Sequence, residues 1–131
     1  MAKDIFHSIQ FKATPKVLYD LIMNPKMHSA FTGAEAIISQ QIGGKYCAYD
    51  GYIEGENLEL IPGKRIVQTW RAMEEGWPEG ENSFIEFVFE ENEKGTELKF
   101  THRQIPKNVK SDFDKGWKEH YWEPMKAFLN E

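Results

Sequence analysis

The chain has 131 residues, enough for one domain and too few for two well-packed ones. Four Trp, five Tyr and nine Phe supply large rings for a core that needs no staples, and a single cysteine, Cys47, has no partner for an intramolecular disulfide. The net charge of −5 runs against a nucleic-acid partner, whose phosphates require a basic face, and no apolar stretch approaches the ~20 residues of a membrane helix.

Ile5, His7, Ile9 and Phe11 alternate with more polar neighbours and predict a first strand with one buried face. Ala13-Thr14-Pro15 comes next, with Thr at an N-cap and Pro at the first helical position. Val17, Leu18, Leu21 and Ile22 continue at helical spacing until Pro25 stops them. Asn24-Pro25 can itself cap a second short helix, through Met27 to about Phe31.

The middle of the chain is punctuated like a meander, at Gly33, Gly43-Gly44, Asp50-Gly51, Pro62-Gly63 and Gly95. Asp50-Gly51, between Lys45–Tyr49 and Tyr52–Leu60, predicts a two-residue hairpin turn with positive φ at both positions. Arg65–Met73, Ser83–Glu90 and Thr96–Gln104 are further strands. Ile85, Phe87 and Phe89 share one face, as do Leu98, Phe100 and His102.

Ser111 opens the last segment, with Asp114 three residues on as a capping-box-like partner. Phe113, Trp117, Tyr121, Met125 and Phe128 fall on one side of a helix to Asn130, about 30 Å long at about 1.5 Å per residue. Gly116 weakens it, and Pro124 predicts a kink, because a mid-helix proline loses a hydrogen bond and crowds the preceding turn. The order is strand, two short helices, six strands, long helix. Strands joined by short turns are antiparallel, and their apolar face needs a cover that the terminal helix is long enough to supply. Residues 1–131 therefore read as a single α+β domain.

No phosphate loop or nucleophile elbow is present. The histidines, at 7, 28, 102 and 120, have no partner at a metal-ligand spacing, so no metal and no cofactor is expected. Cys47 reads as a small buried hydrophobe. His7 and His102 lie in register with the apolar faces of their strands. They are either satisfied core histidines or polar groups facing a cavity shared with Trp117 and Tyr121. Such a cavity opens if a helix bent at Pro124 cannot follow the sheet, and closes if large rings fill the gap. Trp77-Pro78 lies among Glu74, Glu75, Glu79 and Glu81. It is either an exposed recognition anchor or a ring folded back on the sheet edge.

Several short pieces, weak singly, recur in an ordered set: Ala30-Phe31-Thr32, Gly43-Gly44-Lys45, Leu60-Ile61-Pro62, Ile66-Val67, Trp70-Arg71 and Trp77-Pro78-Glu79-Gly80. They continue with Gly95-Thr96-Glu97-Leu98, Ile105-Pro106, and Gly116-Trp117-Lys118 leading to Tyr121. In this order the chain, from about Ala30 to Phe128, resembles the C-terminal domain of the activators of heat shock protein 90 ATPase, a branch of the START-like (SRPBCC) helix-grip superfamily. The resemblance implies a helix-grip fold, with a curved antiparallel sheet of about seven strands wrapped around the long C-terminal helix and two short helices after strand 1. It also implies a cochaperone-like domain able to touch a heat shock protein 90-type chaperone in its ATP-bound form. The full activators carry an additional N-terminal domain that makes the principal chaperone contact, and nothing in this sequence corresponds to it. Members of the wider superfamily often hold hydrophobic small molecules between sheet and helix.

The expected function is accordingly a non-enzymatic domain holding a small hydrophobic ligand, with His7, Trp70, His102, Trp117 and Tyr121 lining the cavity. The alternative is a chaperone partner that uses Trp77 and Pro78 as its contact. A cavity enzyme, such as a cyclase or hydrolase, would have only His102, or His7 with a carboxylate, as acid/base material, and no catalytic residue is assigned. The N-terminus carries no basic-then-apolar signal pattern, so the expected location is the cytoplasm.

Overall fold

The computed structural model describes residues 4–131. Its elements are β1 (Ile5–Phe11), α1 (Pro15–Met23), α2 (Pro25–Thr32), β2 (Ile37–Ile38), β3 (Lys45–Ala48), β4 (Ile53–Ile61), β5 (Arg65–Ala72), β6 (Ser83–Asn92) and β7 (Gly95–Arg103). The C-terminal helix runs as α3 (Phe113–Trp117), a π-helical turn (Lys118–Trp122) and α4 (Glu123–Phe128). The strands form one antiparallel sheet in the order β1-β7-β6-β5-β4-β3-β2, the helix-grip arrangement. Among the described residues no helix is long and apolar enough to cross a membrane.

The short helices start where the sequence predicts. Thr14 Oγ1 accepts from the Val17 amide at 3.3 Å. Asn24 ends α1 by donating its amide to the Asp20 carbonyl, and starts α2 by accepting from the amides of Lys26 and Met27. One side chain at Asn24 thus satisfies donors that a helix start leaves unpaired.

The turn between β3 and β4 differs from expectation. It takes four residues, Tyr49–Tyr52, because the last paired positions are Ala48 and Ile53. Tyr49, Asp50 and Gly51 all have positive φ, at 51°, 58° and 91°. Two consecutive non-glycine residues in that region carry a steric cost. Two bonds to Glu35 hold them there. The Asp50 amide donates to the Glu35 carbonyl at 3.0 Å, and Asp50 Oδ1 accepts from the Glu35 amide at 2.8 Å.

The terminal helix differs in three ways. Asp112, not Ser111, is its N-cap, accepting from the Lys115 amide at 3.0 Å. Ser111 turns away to donate to Glu74. Pro124 does not act as a lone kink, because the chain widens into the π turn directly before it, where the Glu123 amide bonds the Lys118 carbonyl five residues back. Nearly one extra residue per turn delays the register. Trp122 therefore swings inward and is buried, while Phe128, expected inside, is 44% exposed.

Pro124 has no amide hydrogen to give to His120, the carbonyl four residues before it. The Tyr49 hydroxyl takes that place, donating to the His120 carbonyl at 2.5 Å. The strained turn and the helix break thus satisfy one another. Tyr49→Phe is expected to lower unfolding stability by about 0.5–1 kcal/mol, read by urea titration, since the surface carbonyl loses its hydroxyl donor and water replaces it only in part. An unchanged midpoint would show that water replaces the hydroxyl.

Candidate functional site

The space between sheet and helix is filled along its middle. Phe100 packs on Trp117 at 4.3 Å between ring centres and on Trp122 and Phe87 at 5.1 Å each. Trp117 and Trp122 stack at 5.7 Å. The void left beside them, between Ile22, Gln68, Phe87 and Tyr121, is about 10 Å³, room for one water at most. Large rings close the gap expected from a bent helix.

The opening lies to one side. A cleft of about 460 Å³ runs between the β3–β4 turn, the start of β4, Trp70 of β5 and the helix from Ser111 to Tyr121. Its walls are Tyr49, Tyr52, Ile53, Trp70, Phe113, Trp117 and Tyr121, with Ser111, Asp112, Gly116 and His120 completing the rim. Gly116 leaves space, since a Cβ built there meets nothing within 4 Å. The size falls in the range of small-molecule sites.

Three of the expected lining residues, Trp70, Trp117 and Tyr121, meet at this cleft. The two histidines do not line it. His102 is fully buried, and its bonds define its state. The Ser83 hydroxyl donates to the Trp70 carbonyl at 2.7 Å, so His102 Nε2–H donates to Ser83 Oγ at 2.8 Å. His102 Nδ1 then accepts from the Trp117 indole at 3.0 Å. Burial pushes the imidazole down to about 3, so it is a neutral core group. His7 sits at the opposite edge of the helix, in a surface groove with Phe6, Ile9 and Lys126. Its Nδ1 accepts from Trp122 Nε1 at 2.9 Å, and its Nε2 bonds Asp114 at 3.1 Å. It pins β1 to the helix and reaches neither His102 nor the cleft.

His28, unremarkable in the sequence, supports the cleft from below. Its Nδ1–H donates to the Ile22 carbonyl at 2.9 Å, and its Nε2 accepts from the Tyr121 hydroxyl at 2.8 Å. Burial lowers its affinity for a proton, and burial also raises Tyr121 well above the usual phenol range. Burial pushes Tyr49 up to about 12.

Trp77 is not an exposed anchor. The indole is 9% exposed, donates to the Glu81 carbonyl at 2.8 Å and packs on Trp70 at 5.8 Å. Of the two readings of that loop, folding back is the one the ring adopts, while Pro78 beside it stays partly exposed. Cys47 is half-buried in β3 rather than enclosed. Among the described residues no three metal-binding side chains converge. Sequence reasoning misses Tyr49, Tyr52 and Asp112 at the cleft because two come from a turn and the third precedes a helix. Nothing local ties those segments together.

The family model for "Activator of Hsp90 ATPase homolog 1-like protein" matches residues 12–130. The chain belongs to this family. It is 34% identical over 116 residues to the human activator of 90 kDa heat shock protein ATPase homolog 1, a match that covers 88% of this chain and 34% of that protein. A Dictyostelium discoideum activator homolog is 31% identical over 118 residues, covering 89% and 30%. The chain thus spans about a third of the length of the curated relatives it matches. Among solved structures, an HSP90 activator from Plasmodium falciparum superposes with a TM-score of 0.88 at 23% identity, over 98% of this chain and 97% of the other. The Aha1 dimer from Colwellia psychrerythraea gives 0.76 at 21% identity, covering 96% of each chain. These two establish the shared fold.

The histidine states imply a pH dependence. His102 in the unfolded chain titrates near 6.5 and in the folded one near 3, so the unfolded state binds more protons between those values. The stability this group contributes is complete above pH 6.5 and is lost as pH falls toward 3, with His28 adding in the same direction. Urea midpoints measured from pH 7.5 downward should therefore fall, and His102→Gln should flatten the slope. An equally steep fall in the variant would place the effect elsewhere.

Proposed function

We propose that this domain is a non-enzymatic binding module that takes a small apolar ligand into the aromatic cleft beside its C-terminal helix. The observation that carries this reading is the cleft itself, about 460 Å³ lined mainly by aromatic carbon while the rest of the interior is filled. Burial lowers His102 to about 3 and holds His28 below its ordinary value, and the polar tips of both rings are engaged inside, which supports a binding rather than an acid–base role. The family's named members are ATPase activators, which act on another protein's catalysis.

Gly116 offers a clean test. Gly116→Leu fills open space in the cleft, and leucine in place of a helical glycine gains about 0.5–1 kcal/mol. Nile red, a neutral apolar dye, should brighten on binding the native protein and not the variant, with the variant at least as stable in urea. Equal brightening in both would contradict the reading. Native mass spectrometry and solvent extraction of protein from its own host should reveal the physiological occupant.

The family match favours a second reading, a cochaperone-type partner of an Hsp90-type chaperone. It rests on 34% identity to a human protein named as an activator of that chaperone's ATPase. Adding this domain should raise ATP turnover by the chaperone of the same host. No binding and no rate change at about 10–100 μM, where weak contacts still register, would count against it.

A further inference from the structure

We infer that the aromatic cleft selects a positively charged ligand, a small organic cation with an apolar body of the quaternary-ammonium kind. This deepens the cleft-binding reading and rests on it. The argument comes from where the hydroxyl protons go. Tyr49 donates to the His120 carbonyl, Tyr121 to His28 Nε2, Tyr52 to Glu74 Oε2 at 2.7 Å, and Ser111 to the other Glu74 oxygen. Every hydroxyl on the cleft wall therefore donates its proton to a protein acceptor and keeps only oxygen lone pairs for a ligand. The Trp117 indole N–H is likewise engaged, by His102, so the side-chain donors left on the wall are the Trp70 indole N–H and the ring of His120 at the rim.

The fixed charge has the same sign. Asp112 lines the cleft, and Glu74 lies behind Tyr52 and Ser111. His120 at the rim is the other titratable lining group besides the tyrosines. The start of α3 would otherwise offer amide donors to an anion, but the Asp112 carboxylate already caps it. Lys115 and Lys118 are turned to other acids, to Glu119 and Asp114 at 3.5 Å each, and Lys110, next to Ser111 and exposed, does not line the cleft. What remains is a cup of rings at steep mutual angles. Tyr49 meets Tyr121 at 71°, and Trp70 meets Phe113 at 81°. Ring faces attract cations, and a carboxylate at the mouth adds to the attraction. A fatty-acid carboxylate would find no hydroxyl proton on the wall and would meet the like charge of Asp112 at the mouth.

Three probes of one shape separate charge from shape: choline, neutral 3,3-dimethylbutan-1-ol and anionic 3,3-dimethylbutanoate. Each is titrated into the native protein to about 50 mM, a range that reaches millimolar binding, while the Trp70 and Trp117 indole N–H signals are followed by NMR. Choline should bind at least about threefold more tightly than the alcohol, and the acid most weakly. Asp112→Asn keeps a capping side chain and should reduce the choline preference. Alcohol binding as tight as choline would overturn the charge selection and leave the cleft reading standing. No response to any probe would overturn both.

Discussion

One carbonyl deprived of its helical donor links three parts of this fold. Pro124 cannot donate to the His120 oxygen, and at this surface position the carbonyl takes a side-chain donor instead. The partner comes from outside the helix, the hydroxyl of Tyr49 on a turn with consecutive left-handed residues. The turn is thereby drawn against the helix and becomes one wall of the cleft. The accompanying π turn rotates the last part of the helix, so that Trp122 enters the core and reaches His7 on the edge strand. A single missing amide hydrogen thus links the β3–β4 turn, the helix register and the anchoring of β1.

Around that junction the buried polar groups form short closed chains. From the Trp70 carbonyl the bonds run through Ser83 and His102 to the Trp117 indole, and from Ile22 through His28 to Tyr121. Each chain ends on a ring that lines the cleft. Their first effect is orientation, since a tryptophan and a tyrosine fixed at their polar tips present defined faces. Their second is electrostatic, since the Trp117 and Tyr121 protons are consumed inside and neither ring offers a donor to the cleft. The same groups that look like acid/base material in sequence therefore act as supports.

Period-2 alternation places the strands and their inward faces, and the caps at Thr14 and Asn24 are visible in the sequence because one residue's chemistry decides each. The family resemblance supplies the wrapping of sheet around helix. The side chains at the helix end are less legible. Pro124 is recognisable as a defect, but its relief as a π turn depends on what packs against the helix. Helical spacing alone therefore puts Phe128 inside and overlooks Trp122. His7 and His102 share a strand parity, yet the strand order puts one on the edge strand β1 and the other on β7 inside it. Parity tells which face a residue takes, not how deep it lies. The sequence points to a cavity between helix and sheet. The cleft lies beside them because a turn, a helix cap and one glycine meet there.

The geometry supplies a cleft walled on one side by the turn that the Tyr49–His120 contact holds against the helix. The direct measurement of that contact is a double-mutant cycle on unfolding free energy between Tyr49→Phe and Pro124→Ala. Alanine at 124 restores an amide hydrogen for the His120 carbonyl, so the Tyr49→Phe cost should shrink to near zero in that background, with a coupling of at least about 0.5 kcal/mol. Additivity within about 0.3 kcal/mol would show that the helix break and the turn are independent, and would contradict the account.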